Sequence, residues 1–210
     1  MTELIPAILC HDAIEFAQKM RKVEGMVEYL QVDCMDGKFV PDVTWFDGVG
    51  VATMATPTKY DLHLMVMDPI AVLEEWKHVP TVARATFHIE AVSDAAGIIT
   101  EILRRGLEPC VAINPETPLA RITPLLHSVE SVLVMGVHPG ASGQQLVPGT
   151  IARIAELRAL MPDLPIAVDG GVTIGNAPGL IEAGATRLIA ASALYKSKDI
   201  KGAIREFQAL

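Results

Sequence analysis

The stretch that decides the fold is LPIAVDGG, residues 164–171, a short apolar run that ends in one carboxylate and two glycines. The stretch YLQVDCMDG, residues 29–37, repeats this pattern far upstream, and DLHLM, residues 61–65, delivers an imidazole in the same way. Two carboxylates and a histidine at the ends of three separate strands indicate an acid–base or metal site at one rim of a barrel.

The composition predicts a single domain over residues 1–210, because half of the chain is hydrophobic and can form a large core. A net charge of −8 argues against nucleic acid as a partner. No apolar run is long enough for a membrane span, and the first residues lack the pattern of a secretory signal. Three widely spaced cysteines fit no disulfide framework, so a cytoplasmic location is expected.

Short apolar runs alternate with amphipathic stretches along the whole chain. The strand candidates are residues 4–9, 29–33, 60–64, 85–89, 109–113, 131–135, 166–169 and 187–190. The helix candidates are residues 13–23, 46–55, 70–77, 94–105, 118–127, 148–160, 176–183 and 199–208. Regular alternation predicts an α/β fold with a parallel sheet, and eight such units predict a closed (β/α)₈ TIM barrel.

An open doubly wound sheet is the alternative architecture. That fold favours a G-x-G-x-x-G turn after its first strand, where the glycines accommodate a dinucleotide. The first strand candidate is followed instead by Cys10-His11-Asp12. The barrel is therefore the preferred prediction.

The paired carboxylates, Asp33 and Asp169, suit a reaction that inverts a carbon next to a carbonyl group. One carboxylate can remove a proton from one face while the other returns a proton to the opposite face. A divalent metal held by Asp33, His63 and Asp169 would stabilise the enediolate oxygens as a Lewis acid. This O/N/O donor set suits Zn²⁺, Mn²⁺, Fe²⁺ or Co²⁺ without choosing among them.

Small residues follow the last two strand candidates and predict a phosphate site. Gly170 and Gly171 precede a helix start, and Ala191 and Ser192 follow the eighth strand. Barrels often bind phosphate in these two loops, so a small phosphorylated substrate is expected. The loop at 138–145, rich in Gly and Ser, could close over that substrate.

Other residues near strand ends are candidates for lining the site. Three methionines, Met35, Met65 and Met135, lie at strand ends, where they could cover a flat intermediate or simply fill the core. His88 also lies near a strand end and is interpreted equally well as a buried structural histidine or as a site residue.

The chain resembles the ribulose-phosphate 3-epimerase family along nearly its whole length. The motifs that carry the resemblance, in chain order, are VDCMDGKFVP at 32–41, DLHLMV at 61–66, FHIEA at 87–91, INPETP at 113–118, VM with PG at 134–140, and VDGG at 168–171. The resemblance implies a TIM barrel of the ribulose-phosphate-binding type. It also implies epimerisation at C3 of a ketopentose phosphate, D-ribulose 5-phosphate to D-xylulose 5-phosphate.

By the same resemblance, Asp33 and Asp169 are both the acid–base pair and metal ligands, with His63 as a third ligand. The family's other metal histidine falls on Gln31, whose carbonyl oxygen is a poorer ligand than imidazole for zinc. The resemblance places phosphate on the backbone of eight residues, namely Gly140, Ala141, Ser142, Gly143, Gly170, Gly171, Ala191 and Ser192.

Further departures from the family pattern keep a second function open. Ala7 stands in place of a serine near the substrate, Ala141 in place of an aromatic residue, and Ala191 in place of a glycine. Together with Gln31, these changes motivate a sugar-phosphate binder that is non-catalytic or altered in specificity. A related barrel decarboxylase is ranked last, because Asp33 is followed by Cys34 and Met35 without the expected lysine. A homo-oligomer is left open.

Overall fold

Eight parallel strands pair in chain order and close into a barrel in the computed structural model, which describes residues 2–210. The strands are β1 Glu3–Ile8, β2 Tyr29–Met35, β3 Lys59–Met65, β4 Val82–His88, β5 Glu108–Ile113, β6 Ser131–Met135, β7 Ile166–Asp169 and β8 Arg187–Ala190. β8 pairs with β1 and closes the sheet, which confirms the predicted (β/α)₈ barrel.

Helices follow most of the strands and cover the outside of the barrel. They are α1 Ala13–Val23, α2 Gly48–Ala52, α3 Pro69–Glu75, α4 Ala95–Arg104, α5 Thr150–Leu160, α6 Ala177–Glu182, α7 Ser192–Tyr195 and α8 Ile200–Gln208. Five of them, α1, α2, α3, α4 and α8, begin after an aspartate whose side chain accepts a hydrogen bond from the first turn. Each such cap stabilises its helix by about 1 kcal/mol.

The segment between β5 and β6 differs from the sequence prediction. In place of one helix over 118–127, it forms two short 3₁₀ helices, Leu119–Arg121 and Thr123–Leu125. Pro124 has no backbone N–H, and its ring would clash with the carbonyl group four residues earlier in an α-helix. The helix predicted over 46–55 is shorter than expected, and α7 was not predicted.

The barrel interior has an apolar middle and two polar ends. The apolar residues of the interior form one cluster of Ile5, Ala7, Ala112, Leu133, Ala167 and Ile189, with Tyr29 toward the amino-terminal end and Met135 toward the other end. A larger apolar layer lies outside, between strands and helices, and includes the fully buried Phe16, Tyr60 and Trp76. Because side chains alternate along each strand, one strand supplies both layers.

The amino-terminal end of the barrel is closed by charges around Arg84. The Arg84 guanidinium donates to Glu3 at 3.1 Å and to Glu108 at 3.0 Å, and lies 3.5 Å above the ring of Tyr29. Burial raises the pKa of the neighbouring Asp61, whereas the charge of Arg84 lowers it. Arg84 therefore compensates several carboxylates that the fold places together.

Replacing Arg84 should test this role in stability. We expect Arg84→Met to lower the free energy of unfolding by about 3 kcal/mol, because, among residues 2–210, only Arg187, 3.1 Å from Glu3 and 4.0 Å from Glu108, would then compensate these partly buried carboxylates. The exposed Arg104, which pairs with Glu101, offers the control Arg104→Met with a change below about 1 kcal/mol. Equal effects of the two substitutions in urea unfolding would contradict the assignment.

Candidate functional site

Four polar side chains meet inside the barrel where the strands end, and they are Gln31, Asp33, His63 and Asp169. Asp33 lies beside His63 in the register of β2 with β3. Asp169 is the last residue of β7 and reaches the same space from another part of the barrel. The sequence predicted this meeting from strand ends alone, since parallel strands deliver their last inward residues to one rim.

The three predicted ligands form a tight cluster. His63 Nδ1 lies 3.1 Å from Asp33 Oδ1 and 3.4 Å from Asp169 Oδ2. One donor atom from each of the three residues lies within 4.8 Å of the others. His63 is fully buried and Asp33 is 8% exposed, so the cluster is shielded from bulk water on most sides.

Gln31 enters this cluster through its amide nitrogen. Gln31 Nε2 donates to Asp33 Oδ1 at 2.8 Å and to Asp169 Oδ2 at 2.7 Å, and lies 3.3 Å from His63 Nδ1. Gln31 Oε1 is buried without a hydrogen-bond partner among residues 2–210. The carboxamide therefore holds the two carboxylates together at the point where a cation bound to the same atoms would lie.

The environment shifts the proton affinities of the cluster. Burial raises the pKa of the Asp33 carboxyl and the charge of Asp169 adds to the rise, while the hydrogen bond to His63 opposes it. Burial lowers the pKa of His63, but its hydrogen bonds to Asp169 and Asp33 outweigh that effect and raise it to about 9. The two carboxylates therefore favour the protonated form of His63.

The donor set fits a divalent cation. Two carboxylates and one imidazole provide oxygen and nitrogen ligands of the kind that divalent transition metals bind. The partnerless Gln31 Oε1 is a further oxygen, and rotation of the carboxamide would exchange it with Nε2. In that orientation Oε1, which now has no hydrogen-bond partner among residues 2–210, could coordinate a cation. The four residues are therefore compatible with a metal centre.

A cavity opens above the cluster and is lined by the loops after β6, β7 and β8. Met35, Met65 and Met135 line this cavity. All eight residues that the sequence assigned to phosphate also line it, namely Gly140, Ala141, Ser142, Gly143, Gly170, Gly171, Ala191 and Ser192. Ala7 and His88, also predicted as lining residues, are buried beside the cluster instead. Ala7 pairs with Gln31 in the sheet, and His88 contacts His63.

Two glycines allow these loops to pack closely. Gly170 and Gly171 have φ values of +96° and +69°, which favour glycine. A Cβ on Gly171 would lie 2.4 Å from the backbone nitrogen of Leu146, and one on Gly170 would lie 2.3 Å from Val137. The absence of side chains thus lets the loop after β7 lie directly against the loop after β6.

Lys196 is a residue near the cavity that the sequence analysis did not single out. Its Nζ lies 3.3 Å from the point that a Cβ on Gly143 would occupy, next to Ser192. The sequence also contains Lys198 two residues later, and no pattern distinguishes the two lysines. The short helix α7 determines which of them faces the loop.

Known proteins provide an independent comparison. The family model described as the ribulose-phosphate 3 epimerase family matches residues 3–195. The chain belongs to that family. The ribulose-phosphate 3-epimerase of Methanocaldococcus jannaschii is 36% identical, with 99% of this chain and 90% of the relative covered. That of Bacillus subtilis is 33% identical, with 99% of both chains covered.

Membership in the ribulose-phosphate 3 epimerase family confirms the resemblance drawn from the sequence motifs, and with it the prediction of a sugar-phosphate epimerase family. A chloroplastic ribulose-5-phosphate-3-epimerase of Arabidopsis thaliana is 33% identical, covering 97% of this chain and 75% of the relative. No helix among residues 2–210 combines the length and apolarity needed to cross a bilayer.

Solved structures support the fold alone. A 3-hexulose-6-phosphate synthase superposes with a TM-score of 0.75 at 19% identity, covering 100% of this chain and 99% of that one. The tryptophan synthase α-subunit of Pyrococcus furiosus superposes with a TM-score of 0.76 at 15% identity, with both chains fully covered. The barrel is thus shared by enzymes with different names, and the chemistry depends on the residues at its rim.

The position of the Gln31 amide leads to a prediction about cation affinity. We expect Gln31→His to bind Zn²⁺ or Mn²⁺ at least about tenfold more tightly, a gain of about 1.4 kcal/mol. The substitution removes hydrogen bonds that a cation must displace and adds an imidazole ligand. Competition with a chelator would give the dissociation constants.

The exposed Gln18 on α1 provides a matched control, since Gln18→His adds an imidazole far from the cluster. That variant should bind the cation as the unmodified protein does. Equal affinities of the Gln31→His variant and the unmodified protein would show that the amide does not compete with a cation.

Proposed function

We propose that this chain epimerises a ketopentose phosphate at C3 and interconverts D-ribulose 5-phosphate and D-xylulose 5-phosphate. The observation that carries the proposal is the meeting of Asp33 and Asp169 at the floor of one cavity. Family membership and the names of the relatives support the same substrate pair.

The two aspartates are proposed to act as base and acid. A substrate whose C3 lies between them would lose a proton to one carboxylate and receive a proton from the other on the opposite face. The raised pKa of Asp33 suits this exchange, because a carboxylate with higher proton affinity is a stronger base. The shielded position of the cluster strengthens its electrostatic interactions with the reacting atoms.

A divalent cation is proposed as the cofactor, held by Asp33, His63 and Asp169, with Gln31 Oε1 as the additional oxygen. When bound, it supplies Lewis-acid stabilisation of the negative charge that develops on the enediolate oxygens. Zn²⁺, Mn²⁺, Fe²⁺ and Co²⁺ all suit a mixed set of oxygen and nitrogen ligands. Met35, Met65 and Met135 provide apolar walls that exclude water from the intermediate.

The phosphate group is proposed to lie against the loops after β6, β7 and β8. Small residues there leave backbone N–H groups accessible, and concave runs of such groups bind anions. Lys196, whose Nζ approaches Gly143 in the loop after β6, adds a positive charge beside these loops. This arrangement would orient the sugar with its phosphate outward and C3 toward the cluster.

The second candidate function is a sugar-phosphate binder without turnover. The hydrogen bonds of Gln31 to both aspartates favour it, because they occupy the groups that would transfer protons. Such a protein would bind the sugar phosphate in the same cavity but would exchange no hydrogen at C3. Measurement of that exchange separates the two candidates.

Substitution of the aspartates tests the epimerase directly, with ribulose 5-phosphate and xylulose 5-phosphate in D₂O. Asp33→Asn and Asp169→Asn should each lower epimerisation by about 10²–10⁴-fold, the usual contribution of a general acid or base. Each variant should still exchange the C3 hydrogen of the one epimer that its remaining carboxylate can reach.

The exposed Asp163, which precedes β7, allows the control Asp163→Asn with unchanged turnover. NMR of the sugar C3 position would follow both exchange and epimerisation. Binding of the sugar phosphate without any exchange in the unmodified protein, with and without added Zn²⁺ or Mn²⁺, would favour the binder and exclude the epimerase.

Substitution of Lys196 tests the proposed phosphate site. We expect Lys196→Met to raise KM about tenfold with little change in kcat, because loss of one charged contact to phosphate costs about 1.4 kcal/mol of binding. Competitive inhibition by inorganic phosphate should weaken in parallel. Lys198→Met is the matched control, and identical KM values for the two variants would remove Lys196 from the phosphate site.

A further inference from the structure

A row of buried side chains, His63, His88 and Glu90, extends from the candidate site away from the cavity. His63 Nδ1 faces Asp33 and Asp169, while His63 Nε2 lies 2.9 Å from His88 Nε2. Both imidazole rings are completely buried, their centres lie 5.1 Å apart and their planes are inclined by only 23°. Water therefore has no access to the contact, so one ring must donate to the other across it.

Glu90 is the last residue in this row of buried side chains. His88 Nδ1 lies 3.4 Å from Glu90 Oε2, and neither atom has a hydrogen-bond partner among residues 2–210. Glu90 Oε1 accepts from the backbone N–H of Asn114 at 2.9 Å. Since unpaired buried polar atoms are costly, each of these two atoms favours the other as its hydrogen-bond partner.

The direction of the hydrogen bonds follows from Glu90. An ionised carboxylate can only accept, so the proton between the two residues must belong to His88 Nδ1. A neutral His88 with its proton on Nδ1 leaves Nε2 as an acceptor. His63 Nε2 must then be the donor, and a proton stays on that nitrogen.

We propose that His88 and Glu90 are positioning residues that keep the proton of His63 on Nε2 and so direct Nδ1 toward Asp33 and Asp169 as a ligand. This inference rests on the cation of the proposed function and extends it beyond the residues that touch the cation. Phe39, whose ring centre lies 4.9 Å from that of His88, packs against the ring and helps to hold it.

The arrangement explains why a histidine on β4 is buried beside the site without reaching the cavity. A ring with no partner at Nε2 could rotate and offer either nitrogen to the cluster. Partners of this kind typically contribute 10–100-fold to the metal affinity of the histidine that they orient. His88 would contribute through His63 and would not contact the sugar.

The direct test is NMR of the unmodified protein with ¹⁵N-labelled histidine, without added metal. We expect a proton bonded to His63 Nε2 that shows scalar coupling to His88 Nε2 through the hydrogen bond, and a second proton on His88 Nδ1. A proton bonded instead to His88 Nε2, or no coupling between the rings, would overturn the proposal. This measurement depends neither on metal binding nor on turnover.

Zinc affinity of variants tests the positioning role. His88→Met removes the acceptor and should weaken Zn²⁺ binding by 10–100-fold, measured by chelator competition. His88→Gln can accept from His63 with its oxygen and donate to Glu90 with its nitrogen, so it should restore the affinity to within about threefold. Thermal unfolding of both variants would confirm that they are folded.

The outcomes separate this inference from the proposed function. Zinc affinity unchanged in His88→Met, or no recovery in His88→Gln, would overturn the positioning role. A protein that binds no Zn²⁺ at all would contradict the cation site itself, and the NMR signal would then decide the direction of the histidine hydrogen bonds alone.

Discussion

The limited space inside a closed eight-stranded barrel is the constraint on which the rest of the structure depends. Neighbouring strands alternate their inward residues, so each level of the interior holds only a few side chains. The middle is taken up by small and medium apolar residues such as Ala7, Ala112 and Ala167. Polar groups are therefore confined to the two ends, and each end must compensate its own charges.

The two polar ends solve that problem in different ways. At the amino-terminal end, Arg84 pairs directly with Glu3 and Glu108, which suits a part of the barrel that only has to be stable. At the other end, Asp33 and Asp169 share the amide of Gln31 as a hydrogen-bond donor, and the imidazole of His63 lies beside both carboxylates. The amino-terminal end thus contains arginine–carboxylate pairs, whereas the other end contains two carboxylates with no arginine or lysine among the described residues that contact them.

His63 connects the candidate site to the body of the barrel. One of its nitrogens faces the carboxylates and the other faces His88, which in turn faces Glu90 after the end of β4. The loops above the cluster make a different contribution, because small residues such as Gly170 and Gly171 let backbone groups approach one another closely. Rigid support below and accessible backbone above are what positioning a small phosphorylated sugar requires.

The sequence by itself determined the fold class, the family motifs and the three residues Asp33, His63 and Asp169. It could do so because strand periodicity is a local property, and parallel strands bring their carboxyl ends to one rim whatever surrounds them. The two 3₁₀ helices that replace the helix predicted over 118–127 also have a local cause, because Pro124 interrupts an α-helix. The apolar pattern of this segment nevertheless favoured a helix.

Only the tertiary structure decided how the side chains around that cluster are used. The direction of the Gln31 amide, the burial of His88 behind His63 and the approach of Lys196 to Gly143 all depend on contacts between residues far apart in the chain. Periodicity predicts which face a side chain occupies, but hydrogen-bond partners are chosen by three-dimensional proximity and by the cost of leaving buried polar atoms unpaired.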